Sequence, residues 1–271
     1  MSAVIVRKGL VAGCVAAAVM ASASAADAIP DFQSNQTAWL HPPGGEFPAV
    51  PGSPLPIRQD PAHPFVGNNS GGQPTYRLGD VSNPNLKQWV KDAMKKDNDA
   101  VLAGGIAFSA RQSCLPGGVP VFLLFGGQPI YFIQTPKEVL MIYEGDHQLR
   151  HIYLDVPHSK NPKPSWYGES VGHYEGDTLI VDTVGLNSKT VVDSYRTPHT
   201  DKLHVEERWH LINDKTLQVD IKIEDPDTFN QPWSTFQRYQ RGVQTLEEEA
   251  CAENNQHLFD YHIPQGTAAD F

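Results

Sequence analysis

The sequence predicts an all-β fold, mainly antiparallel, as a barrel or sandwich with one packed helix and a proline-rich extended N-terminal arm. Three observations predict it. From Val119 onward the chain is a series of short apolar or alternating runs separated by turn residues. Residues 41–64 are so rich in proline that neither helix nor sheet can run through them. Only one stretch of the chain repeats its apolar residues at helical spacing.

The chain begins with Arg7 and Lys8, an apolar run from Gly9 to Met20, and the small residues Ala21 to Ala26. Basic, apolar and A-x-A segments in that order predict a secretory signal over residues 1–25, and the apolar run is too short to span a bilayer. Val11 to Cys14 also spells a lipoprotein box, but too few apolar residues separate Cys14 from Lys8 for that reading to lead. Cleavage would take two basic residues and no acidic one, leaving 19 basic against 31 acidic residues and a net charge of −12. With no Lys/Arg cluster and no second apolar stretch, no nucleic-acid partner and no membrane span are expected, and the mature protein should be free in the periplasm or outside the cell. Cys114 and Cys251 remain, an even number in an oxidising compartment, and are expected to be bridged.

Residues 26–82 form the arm and 83–271 a single β-rich domain. Asn83 and Pro84 read as N-cap and first residue of the helix, with Leu86, Trp89, Val90, Ala93 and Met94 on its apolar side. Strand-length runs follow: VPVFLLF from Val119, PIYFIQT, EVLMIYE, LRHIYLDV, SVGHYE, DTLIVDTV, LHVEERWHLI, TLQVDIKI and STFQRYQRGV. Two of them alternate cleanly. Leu203, Val205, Trp209 and Leu211 oppose His204, Glu206, Arg208 and His210, and Leu217, Val219, Ile221 and Ile223 oppose Gln218, Asp220 and Lys222. One face is core; the polar face looks either to water or into a lumen.

The run SWYGESVGHYEGDTLIVDTVGLNSKT, then RTPHTDKLHVEERWHLI, EDPDTFNQPWS and CAENN, resembles a family of secreted bacterial proteins. The similarity extends to the helix and RQSCLPGGVP, with Tyr174 where the family pattern has Trp. The resemblance implies secretion and one domain, and it leaves the reaction open.

Gly168-Glu169-Ser170-Val171-Gly172 matches a G-x-S-x-G nucleophile elbow, but a hairpin and not a helix follows, so a structural strand is the preferred reading. Arg150, His151, Asp155, His158, Trp166 and Tyr167 fall on one strand and the loop after it, where a histidine beside a carboxylate suits proton transfer at a pocket mouth. His199, His204, Glu206 and Arg208 form the next cluster. There is no H-E-x-x-H, P-loop, dinucleotide fingerprint or C-x-x-C, so no cofactor is expected, with a divalent metal at His199, His204 and Glu206 as the weaker alternative.

The leading expectation is an enzyme with a lipocalin-like barrel acting on a small organic molecule as a lyase, isomerase or hydrolase. His158 and His199 or His204 would be acid and base, Glu206 or Asp155 would orient them, and Arg208 or Arg150 would hold an anionic or enolate oxygen. Trp166, Tyr167 and Asn254 would help bind substrate. The competing class is a carrier of an apolar or phenolic ligand, lined by Tyr131, Phe132, Trp166, Tyr167 and Trp233. A third, an envelope assembly component, rests on the proline-rich arm alone.

Overall fold

A computed structural model describes residues 29–33, 37–41, 45–65, 77–105, 110, 114–126, 128–244 and 246–248. The expected signal segment, Cys14, Cys251 and Asn254 lie outside the described residues, and so does the partner expected for Cys114. Nine strands close into a barrel in sequence order: β1 (Ala38–Leu40), β2 (Pro129–Gln134), β3 (Glu138–Tyr143), β4 (Gln148–Leu154), β5 (Glu169–Glu175), β6 (Thr178–Val184), β7 (His204–Asn213), β8 (Thr216–Glu224) and β9 (Trp233–Gly242). The barrel form therefore holds and the sandwich does not. No described helix is long and apolar enough to cross a membrane.

Alternation is what closes it. β7 and β8 turn Val205, Trp209, Leu217, Val219, Ile221 and Ile223 inward, and their polar residues other than Glu207 face outward. Inside, Trp209 stacks on Tyr239 at 5.7 Å and meets Phe132 edge-on at 5.3 Å. All neighbouring pairs are antiparallel except β4 and β5, which run parallel because the connection through residues 155–168 carries the chain back to the start.

Three expectations change. The run from Val119 is not a strand: Val121–Leu124 form a single 3-10 turn whose four side chains are all buried. Pro120 has no N–H for a ladder, and the four apolar residues fill the barrel instead, with Phe122 at 5.5 Å from Tyr167 and the Leu123 carbonyl accepting from the Tyr239 hydroxyl. The helix, α1 (Gln88–Leu102), starts four residues late. Asn83 is buried in the preceding turn, where its Oδ1 accepts from the Asn85 N–H and its Nδ2 donates to the Leu55 carbonyl, so it serves the turn and not the helix end. Val90, Met94 and Asn98 are the buried face of α1, while Ala93 is exposed and Trp89 is held at the rim by an N–H bond to the Asp227 carbonyl. The arm, lastly, was expected to be extended and apart from the 83–271 domain, but part of it joins the barrel. Its β1 pairs with both β2 and β9, and Phe47 packs on Trp233 while Gln237 and Thr235 bond to the carbonyls of Glu46 and Pro48.

Among the described residues an ion pair lies in the lumen. Arg150 on β4 and Glu207 on β7 are 2% and 0% exposed and bond through both guanidinium Nη atoms. Arg150 Nε also donates to Ser170 Oγ at 3.1 Å, Nη2 to Thr183 Oγ1 at 2.8 Å, and Nη1 lies 3.9 Å from Met141 Sδ. All five N–H groups are thereby engaged. Arg150→Met alone should lower the unfolding free energy in urea by about 3–5 kcal/mol, because it strands the Glu207 charge, and adding Glu207→Leu should recover most of that loss.

Candidate functional site

The outer wall of β5 to β8 carries the polar halves of four alternating strands. Register sets Asp182 of β6 beside Glu206 of β7, Glu206 beside Lys222 of β8, and His204 beside Glu224. The loop after β4 returns across this wall and lays His158 onto it. His158 Nδ1 is 3.0 Å from Glu169 Oε1, and its Nε2 is 2.8 Å from Asp182 Oδ1. The other oxygen of Asp182 is 3.0 Å from His204 Nε2, and His204 Nδ1 is 3.2 Å from Glu224 Oε2. Lys222 Nζ closes on Glu224 at 2.5 Å, and the Ser159 backbone N–H donates to Glu169 Oε1 at 2.7 Å.

The result is one chain, Glu169–His158–Asp182–His204–Glu224, in which carboxylates and imidazoles alternate. Carboxylate oxygens only accept, so a ring flanked by two of them donates to both only as imidazolium. The hydrogen bond His204 gives to Asp182, with the charges of Asp182 and Glu224, holds His204 above the usual histidine range against the opposing effect of burial. Bonds from His204 and then His158 hold Asp182 below the carboxylate range. Glu169 is lowered first by the Ser159 hydroxyl and N–H, and Glu224 first by Lys222. The wall stays reachable: the Asp182 side chain is 39% exposed.

The structure thus brings together His158 and His204, with Glu206 beside them, but not the other expected residues. His199 is buried elsewhere, its Nδ1 donating to the Thr200 carbonyl at 2.7 Å and its Nε2 accepting from Thr190 Oγ1 at 2.5 Å; burial pushes it below the usual histidine range, toward a neutral structural ring. Asp155 does not face His158: it sits exposed in a left-handed turn with φ 57°, its N–H on the Gly172 carbonyl. Arg208 is taken by Glu175 at 2.8 Å and Glu206 at 3.9 Å, and Arg150 by Glu207 in the lumen, so neither stands ready for an anionic oxygen. Tyr167 is buried with its hydroxyl on Asp146 Oδ2, and Trp166 packs against the core.

Ser170 is no exposed nucleophile. It lies buried against Arg150 and Thr183, and its flanking glycines let strands approach: a Cβ on Gly168, at φ 65°, would sit 2.5 Å from the Val184 carbonyl, and one on Gly172 2.6 Å from that of Ile180. Sequence reasoning missed Asp182, Glu169 and Glu224. The signal for Asp182 was present, since the alternation used to orient β7 places it outward in the run LIVDT of β6. Among the described residues no group of three His, Cys, Asp or Glu side chains is arranged to hold a metal ion.

The raised His204 contributes stability that is full below its unfolded value of 6.5 and is lost as pH rises through its folded value. The lowered Asp182, Glu169 and Glu224 contribute stability present above 3.8 or 4.5 and lost as pH falls through their folded values. The melting-temperature gap between the protein and its His204→Gln variant should therefore be widest at about pH 5–6 and narrow toward pH 3 and pH 9, as read by circular dichroism. No protein family, curated protein or solved structure matches the chain.

Proposed function

We propose that the protein is an exported enzyme, periplasmic or secreted, that acts on a small organic molecule by histidine–carboxylate acid–base chemistry as a lyase, isomerase or hydrolase. One observation carries this reading. Two imidazoles and three carboxylates form a single hydrogen-bonded chain on a wall that solvent reaches. Imidazole is the side chain that both gives and takes a proton near neutral pH, and the flanking carboxylates fix each ring's orientation. In the reaction each ring releases one of its two carboxylate bonds to reach the substrate; one ring then gives a proton while the other removes one, so the protein's own proton count is unchanged after a cycle.

Export is supported by residues 1–25 and by the resemblance to secreted bacterial proteins. The lumen supports a carrier less well. Phe132 is engaged with Trp209 and Phe32, Trp233 with Phe47 and Phe229, and Tyr167 with Phe122, so these aromatics pack on one another.

The test uses the small-molecule fraction of the producing cell's periplasm, incubated with the protein and with its His158→Gln and His204→Gln variants. Liquid chromatography with mass detection should find a compound that the protein transforms and that each variant transforms at least about 100-fold more slowly. An unchanged pool, or variants working at full rate, overturns the reading; a compound bound and released unaltered identifies a carrier.

A further inference from the structure

Six described histidines contact a carboxylate, but they do so in two different ways. His63 and Asp60, His151 and Glu138, His173 and Glu175, and His210 and Asp220 are pairs with one carboxylate to one ring. Among the described residues only Asp182 serves two rings. Its Oδ1 faces His158 Nε2 and its Oδ2 faces His204 Nε2, so the two nitrogens stand on opposite oxygens of one group. One carboxylate carries one negative charge, and two rings draw on it.

We propose that Asp182 is a positioning residue that binds His158 and His204 into one two-proton unit, so that protonating either ring changes the proton affinity of the other. This rests on the reading of the two histidines as acid and base, and it deepens that reading. The first proton to arrive gains the whole attraction of Asp182. The second meets the same carboxylate already partly neutralised, and an imidazolium on its far side. The two uptake steps are thereby spread apart. Between them the unit holds one charged and one neutral ring, which supplies an acid and a base at the same pH from two side chains of one kind.

Groups on every neighbouring element enter this balance. Glu169 of β5 faces His158, Glu224 of β8 faces His204, Lys222 of β8 neutralises part of Glu224, and Glu206 of β7 lies beside Asp182 in register and close to Lys222. Glu224 is thus shared with a fixed cation, while Glu169 is held by the uncharged Ser159. The two ends of the chain therefore differ in charge.

The test is a titration of the histidine ring signals by NMR in the full-length protein, which needs no substrate. In His158→Gln, His204 should titrate higher by about half a pH unit or more, because it no longer shares Asp182. In Asp182→Asn, both rings should titrate lower and each should follow a simple one-proton curve. His158→Gln leaves Asp182 in place, so it decides the matter even where Asp182→Asn fails to fold. An unmoved His204 in His158→Gln overturns the positioning role, whatever the activity. The fate of the enzyme reading is separate. Coupling in the titration with full turnover in both glutamine variants sinks the acid–base function and leaves the two-proton unit standing. Where turnover is measured, its pH profile should be bell-shaped, with both limbs displaced in Asp182→Asn; a profile that keeps its limbs and only loses height is the mark of a merely structural Asp182 and overturns the proposal.

Discussion

The Arg150–Glu207 pair is the constraint on which the rest of the barrel wall depends. Taking both charges out of water costs several kcal/mol per ion, and this is offset only where every donor and acceptor is met. Here the partners come from four consecutive strands: Arg150 from β4, Ser170 from β5, Thr183 from β6 and Glu207 from β7. That span includes the parallel junction of β4 and β5, which is registered by only three residue pairs. A wrong register there would leave a buried guanidinium or carboxylate unpaired, so the network penalises slippage at the least regular seam of the sheet.

The same network fixes what lies outside. In a strand, successive side chains point to opposite faces. Ser170, Thr183 and Glu207 point inward, so the residues just before them, Glu169, Asp182 and Glu206, point outward. These are the carboxylates on or beside the histidine chain. A single-residue slip would drive the carboxylates into the lumen and expose the hydroxyls. The inner ion pair and the outer site are therefore two readouts of one register, although no side chain of one touches the other.

This parity also explains how much the sequence disclosed. The barrel was legible because TLQVDIKI alternates throughout and LHVEERWHLI alternates over most of its length, and the faces of these strands emerged as read, with Glu207 the inward polar residue that the pattern had left unassigned. The run at Val121–Leu124 misled because four consecutive apolar residues serve a buried turn as well as a strand, and periodicity does not separate the two. His158 and His204 were legible as chemistry, but their pairing was not, since it depends on the loop after β4 reaching past β5 to Asp182 of β6. His199 looked equivalent to them in sequence. Only its burial against Thr190 and Thr200 separates it.

What distinguishes the central chain from the remaining histidines on the wall is the ratio of charges. An exposed imidazole facing one carboxylate exchanges a solvent interaction for a nearly equal one, and such pairs contribute little. His158 and His204 instead have a carboxylate at each nitrogen, with three carboxylates for two rings. The odd carboxylate is the shared one. Because Asp182 belongs to β6, between the strands that carry Glu169 and His204, it is held from both sides by ladder bonds, and its position does not depend on the loop. The loop brings His158 to a carboxylate the sheet has already placed. The chain is thus half built by the sheet and completed by the loop.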